Sequence, residues 1–228
     1  MQKTITTKYK VYNTIYAIKK ALAKIEKDYV QVSFDLETRS IYTKTQRELA
    51  SKYLTKLDLN IEEENEYTRI AKSNGLSHPS VIRTTHIILG LDVDESVIFI
   101  VNDDRIERLV FNWLVNTHLR ILIHNASFDL KIVHHRTGKF PRNFEDTQQL
   151  AKSLVNDCNN YHSRTGLKLL VGSYYPPKWS LKEETDYEVR DLKNKDFLLY
   201  CAIDGGATRL LYNILNKMVV EGNKDDAN

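Results

Sequence analysis

Three short stretches of the chain place acidic side chains at the ends of apolar runs or inside them. Asp35 and Glu37 follow YVQVSF, with one residue between them. In extended chain, residues i and i+2 point to the same face. Two carboxylates held side by side repel unless a cation neutralises them, and hard divalent cations prefer such oxygen donors. The same triplet is also how a strand end with solvated acids looks. Asn125 and Asp129 stand in HNASFD, just past the apolar ILIH. There a metal-ligand reading competes with helix capping, which favours Asn and Asp at helix starts. Tyr200 and Asp204 stand in YCAID, four residues apart, and so share one face of a helix. Polar groups inside an apolar run are costly to bury unless paired. The alternative is a core tyrosine and an aspartate on the wet side.

The elements that must carry these residues follow from periodicity. Residues 9–28 recur apolar at helical spacing and predict an amphipathic helix. YVQVSF, 29–34, alternates as a strand and stops at Asp35. Residues 41–80 are rich in Lys, Glu, Thr and Asn, with a helical pattern in QRELASKYLTKL, and read as a partly helical insertion or lid. HIILGL and SVIFIV predict a hairpin turning through DVDE. DDRIERLVFNWLVNT predicts a helix capped by Asp103 or Asp104. ILIH is a short buried-type strand, followed by a helix from near Ser127 and another from near Asp146 through TQQLAKSLV. The two prolines of GSYYPPKWS, 172–180, predict a loop. DFLLYCAIDGGATRLLYNILNKMVV predicts a long helix despite Gly205 and Gly206, and EGNKDDAN a frayed polar tail. Strands first, then strands alternating with helices, imply an α/β mixed sheet flanked by helices.

Several residues imitate the same chemistry. Asp146, followed by Thr, reads as a helix cap. Asp92, Asp94 and Glu95 belong to the hairpin turn. Asp186 with Glu188, and Tyr187 with Asp191, repeat two of the spacings inside KEETDYEVRDLKNKD, a solvated surface. Tyr174, Tyr175, Lys178 and Trp179 combine aromatics with a cation, as single-strand binders do, or simply pack a proline loop onto the body. His134 and His135 read as helix-surface or core residues.

Composition bounds the rest. The chain has 228 residues, 42% hydrophobic and 28% charged, and a net charge of +3. Wholesale disorder is excluded, and a polyanion could be met only by a local patch. Cys158 and Cys201 form no CxxC or Cys/His cluster, which argues against a zinc site or a disulfide framework. No apolar run reaches membrane-span length, and no signal peptide is evident. The expectation is a cytoplasmic or otherwise intracellular protein with no membrane partner.

Taken together and in order, SFDLET, HNASFD and YCAID resemble the three motifs of DEDDy-type 3′-5′ exonucleases. The likeness is to the proofreading domain of DNA polymerase I-type (family A) polymerases and their phage relatives. Tyr200, rather than a histidine five residues before the last aspartate, places the chain in the tyrosine subgroup; Leu199 stands at that histidine position. The resemblance covers about residues 29–220. It implies an RNase H-like exonuclease fold in which Asp35, Glu37, Asp129 and Asp204 hold two divalent cations, Mg²⁺ or Mn²⁺, while Tyr200 orients the attacking water. It also implies that Glu37 contacts the terminal 3′-hydroxyl and that Thr38, Ile41, Asn125 and Phe128 contact substrate. The expected organisation is an N-terminal helical segment at 1–28, the exonuclease domain at 29–220 with its insertion, and a tail at 221–228. The expected partners are single-stranded DNA 3′ ends and a polymerase supplied in trans, since the chain stops soon after the third motif. RNase D-like RNA exonucleases share these motifs, and a catalytically idle relative that only binds nucleic acid or a polymerase is the rival from another class.

Overall fold

The computed structural model describes residues 7–41, 79, 82–154, 166–174 and 192–225; the side chains of 172–174 and 221–225 are left aside. The elements in chain order are β1 Lys8–Tyr12, α1 Ile15–Asp28, β2 Gln31–Ser40, β3 Ile82–Asp92, β4 Glu95–Ile100, α2 Asp104–Asn116, β5 Arg120–Ile123, α3 Ala126–Thr137, β6 Phe144–Asp146, α4 Thr147–Leu154, α5 Leu167–Tyr174 and α6 Lys195–Asp225. The six strands form one mixed sheet in the order β1-β4-β3-β2-β5-β6. β2 is central, antiparallel to β3 and parallel to β5.

Alternation along the strands sorts the two faces. Val32, Phe34 and Leu36 of β2, Ile87 and Leu89 of β3, and Val97 and Phe99 of β4 point into the larger core, with α1, α2 and α3. There α1 buries Ile18, Ala21, Leu22 and Ile25, the i, i+3, i+4, i+7 stripe of an amphipathic helix. On the opposite face Ile88 and Ile98 meet Phe197, Leu198, Cys201 and Ala202 of α6. The lower part of α6 packs with α4 and α5 through Ala151, Val171, Ala207 and Leu211.

Five local expectations are corrected. Residues 8–12 are a strand, paired in parallel with β4 from Lys8↔Glu95 to Tyr12↔Phe99, and the helix starts only at Ile15. The N-terminal segment is thus built into the sheet and core; alternation in KYKVY beside an available edge outweighs helical spacing. The strand does not stop at Asp35 but runs on to Ser40, because β3 pairs with it along its whole second half. Asp146 ends a short strand, β6, paired in parallel with β5. Helix α5 runs into the predicted loop as far as Tyr174, and the helical backbone of α6 continues through the predicted tail to Asp225. The hairpin of β3 and β4 and the Asp103 cap, whose side chain accepts from the Arg105 N–H at 2.8 Å, are as expected. Most of the expected insertion, together with Cys158, Tyr175, Lys178, Trp179, Asp186, Tyr187, Glu188 and Asp191, lies outside the described residues. Among the described residues no helix is long and apolar enough to cross a membrane.

Candidate active site

β2 places Ser33, Asp35 and Glu37 on the face that α6 covers. Glu37 is aimed by a bulge: the ladder to β3 slips between Glu37, opposite His86, and Thr38, opposite Thr84. The extra residue, Thr85, donates its hydroxyl to the Glu37 carbonyl oxygen at 3.0 Å. Bulges of this kind redirect a side chain beside a functional site.

Helix α6 reaches the same spot because it lies unusually close to the sheet. Ser33 Oγ donates to the Gly205 carbonyl oxygen at 2.7 Å and accepts from the Gly90 N–H at 3.1 Å. Ser96 Oγ donates to the Ala202 carbonyl oxygen at 2.8 Å. A Cβ on Gly90 would stand 2.5 Å from the Gly205 oxygen, and one on Gly205 2.9 Å from Ile88 Cγ2. Two helix glycines each cost about 1 kcal/mol of propensity. Here close approach to β3 and to the β3–β4 turn, where a Gly206 Cβ would meet the Val93 carbonyl oxygen at 2.3 Å, explains them.

The result is a cluster. Ligand atoms of Asp35, Glu37 and Asp204 all lie within 4.8 Å of one another. Glu37 is 6% and Asp204 7% exposed, so the aspartate is not on the helix's wet side. Asp129 comes from α3 and sits apart from this trio but within reach of Asp35. Strand β5 pairs with β2 only as far as Ser33. Burial, and then the charge of Asp35, push the Asp129 carboxyl well above the usual carboxylate range. Tyr200 is 8% exposed and stands one helical turn before Asp204 on α6. Burial first, then the charges of Asp204 and Glu37, push its phenol up, so it stays protonated. The Cys201 thiol is raised by burial and by Glu37, and its S–H points at Glu37 Oε1 at 4.0 Å. Three neighbours thus register the same negative potential. Closely set, mostly buried carboxylates of this kind fit divalent cations bound through oxygen.

Asn125, Phe128 and Thr38 border the acids in sequence. Asn125 caps α3 in the left-handed conformation at φ 59, with no side-chain capping bond. Ile41 is 53% exposed and lines a cavity with Arg83, Glu107 and Arg136 whose lining includes none of the acids. Asp146 is a cap, as read, but its reach is wider. Its two oxygens accept from the N–H groups of Asn125, Ala126 and Gln148 at 2.9–3.1 Å, so it fixes the start of the helix that carries Asp129. The sequence reading missed Ser33, Cys201 and Lys168. The last donates to the Tyr200 hydroxyl at 3.4 Å, with its ammonium 4.7 Å from the ring centroid. Ser33 and Cys201 lie inside two of the motif strings, but their spacing implies no role; packing singles out all three.

A mixed α/β sheet with acids on its central strand and a further aspartate from the covering helix is an arrangement suited to metal-dependent phosphodiester hydrolysis. Residues 95–220 match the 3′-5′ exonuclease family model, and the chain belongs to that family. The matched span holds the second and third motifs; Asp35 and Glu37 lie before it and join the site through tertiary structure. Among solved structures, the catalytic core of RRP6 from Trypanosoma brucei superposes with a TM-score of 0.64 at 13% identity, over 97% of this chain and 50% of that one. Trypanosoma brucei RNase D in complex with RNA U12 gives 0.60 at 16%, over 92% and 63%. Brucella melitensis NrnC with bound Mg²⁺ gives 0.55 at 15%, over 97% and 86%. The chain thus spans one half to about two thirds of the two trypanosomal proteins. No curated protein matches it.

Proposed function

We propose that the chain hydrolyses single-stranded or frayed DNA from the 3′ end to nucleoside monophosphates, with Asp35, Glu37, Asp129, Tyr200 and Asp204 as its catalytic set. The observation that carries this is the convergence of Asp35, Glu37 and Asp204 within 4.8 Å, with Asp129 beside Asp35. Asp35 is the carboxylate common to two neighbourhoods. It would hold one cation with Glu37 and Asp204 and a second with Asp129. Two divalent cations, Mg²⁺ or Mn²⁺, supply Lewis-acid charge to the scissile phosphate and make water a competent nucleophile near neutral pH. Tyr200, kept protonated, cannot act as a base in that range; it orients the attacking water through its hydroxyl. Glu37, whose backbone carbonyl accepts from Thr85 and whose carboxylate is approached by Cys201, would accept from the terminal 3′-hydroxyl. A polymerase supplied in trans would make this activity proofreading. The segment at 41–80, joined to the body at the ends of β2 and β3, is proposed as a surface insertion of the exonuclease domain.

A second reading, RNA as substrate, is favoured by the RNA named in the RNase D complex among the similar structures. Purified protein incubated with 5′-labelled DNA and RNA strands, with Mg²⁺, Mn²⁺ or EDTA, decides between them. The expected product is a ladder shortening from the 3′ end of DNA, absent in EDTA and with 3′-phosphate ends. Faster shortening of RNA selects the second reading, and no shortening of either strand overturns both.

A further inference from the structure

Behind α3, on the side away from the acids, lies a groove of about 570 Å³ that the proposed chemistry does not use. Ser127, Leu130, Lys131 and His134 line it at i, i+3, i+4 and i+7, one face of the helix. Asp129, two residues from Ser127 and Lys131, lies about 200° around the same helix from both. The groove is also lined by Phe140, 51% exposed, from the loop that leads into β6, and by Phe144, 44% exposed, the first residue of β6. Contiguous exposed apolar surface in a groove marks interaction sites, whereas single exposed side chains do not. The His134 and Phe140 rings are already stacked, with centroids 4.4 Å apart and planes 18° apart, and form a flat platform.

Cations outnumber carboxylates beside this platform, where Glu145 follows Phe144 in the chain and Asp146 lines the groove. Lys131 lines the groove, and Lys139 and Arg142 flank Phe140 in the chain; all three are exposed and make no ion pair among the described residues. The carboxylate that lines the groove, Asp146, has both oxygens committed to backbone N–H groups. Aromatic faces beside unpaired cations suit unpaired bases and their phosphates.

We propose that this groove is a second, non-catalytic site for single-stranded nucleic acid, holding the strand upstream of its 3′ end by stacking on Phe140 and Phe144 and by phosphate contact with Lys131 and Lys139. The inference rests on the proposed nucleic-acid substrate. Groove and acids are separated by the thickness of one helix, about 10–12 Å. A strand running over the N-terminus of α3 spans that within the roughly 4–16 nucleotides of a single-strand site.

The test uses the full chain carrying Asp35→Ala, which blocks hydrolysis, titrated with 5′-fluorescein strands of about 4 and about 16 nucleotides. Adding Phe140→Ala is expected to weaken binding of the long strand roughly tenfold more than that of the short one. Adding Lys131→Gln with Lys139→Gln should make the log-log salt slope for the long strand shallower by roughly 0.7 per lysine. Phe140→Tyr, which keeps the ring, should bind as the parent does and controls for folding. Equal losses for both lengths, or none, overturn the proposal. So does a dimer that Phe140→Ala dissociates with no change in strand affinity, which would make the groove a self-association face. If the chain without Asp35→Ala shortens DNA or RNA while the groove variants bind like the parent, the groove fails and the exonuclease reading stands. If it binds the long strand through these residues and never shortens it, the exonuclease reading fails and the groove stands.

Discussion

The hydroxyl of Ser33 in the central strand donates to the carbonyl oxygen of Gly205 in the last helix, at 2.7 Å and across 172 residues of chain. The bond lies one alternation away from Asp35 on the strand and one residue away from Asp204 on the helix, so it sets how far apart those two carboxylates sit. The Gly90 N–H completes it from β3. A Gly90→Ala side chain would start 2.2 Å from Ser33 Oγ and 2.5 Å from the Gly205 oxygen, forcing helix and sheet apart. Overpacking of this sort costs about 1–3 kcal/mol. Urea melts should show that loss together with a drop in nuclease rate. Gly166→Ala, whose Cβ meets nothing within 4 Å, should change neither.

Asp35 lies among like charges, and this gives its substitutions two opposite expected signs. Asp35→Ala or Asp204→Ala should lower the metal-dependent rate on the order of 10³-fold or more, since several kcal/mol of transition-state stabilisation pass through the bound metals. In EDTA, however, Asp35→Asn should melt higher than wild type, by about 1 kcal/mol of stability, because it relieves repulsion with Asp129, Glu37 and Asp204. Adding Mn²⁺ should then raise the melting temperature of wild type and leave the variant's nearly still. Scanning calorimetry in EDTA and in Mn²⁺ checks both halves, and an Asp35→Asn chain that melts lower in EDTA contradicts the cluster.

Tyr200→Phe removes one hydroxyl from a ring that stays buried against Phe197, 5.9 Å away between centroids. Turnover should fall roughly 10²–10⁴-fold, the range of acid–base and positioning roles. Mn²⁺ affinity and melting temperature should hardly move, because the ring packing and all four carboxylates remain. Tyr187→Phe, at the other tyrosine four residues before an aspartate, should leave the rate as it is. Kinetics at saturating metal with the ranking reversed would move the third motif to Asp191.

His86 pairs opposite Glu37 in the sheet, fully buried, with Nε2 against the Leu192 carbonyl oxygen at 2.9 Å and its ring edge-on to Phe197. Burial holds its pKa below the usual 6.5, and the Leu192 bond only partly opposes that. The unfolded chain therefore takes up a proton first as pH falls. The stability this histidine contributes is complete above pH 6.5 and is lost as pH drops through its lower folded value. Thermal melts between about pH 8 and 5 should slope downward on the acid side, and His86→Gln should flatten that slope. An unchanged slope would mean that other groups set it.

Much of the site was legible from local pattern. Phe34 ahead of Asp35, ILIH ahead of Asn125 and the apolar flanks of Tyr200 mark acids that interrupt or follow apolar runs, and desolvating a carboxylate is costly enough to make such placements conspicuous in one dimension. The hairpin, the Asp103 cap and the long last helix follow from equally local rules of alternation, capping and period. KYKVY was not legible as a strand because an edge strand takes its identity from the neighbour that completes its ladder, and β4 lies more than eighty residues away. The short β6 and the full length of β2 were hidden for the same reason: both depend on register with partners remote in the chain.

The residue types and spacings by themselves determined the class of chemistry, because i, i+2 in a strand and i, i+4 in a helix already fix which side chains share a face. Only the tertiary structure decided that these faces meet. It did so through contacts between segments: Gly205 against Gly90 and Ser33, the Thr85 bulge beneath Glu37, and Asp146 holding the turn before Asp129. Each is a matter of backbone approach within a few tenths of an ångström between segments distant in sequence. A side-chain pattern read along the chain does not contain that distance; the packing of helix on sheet sets it.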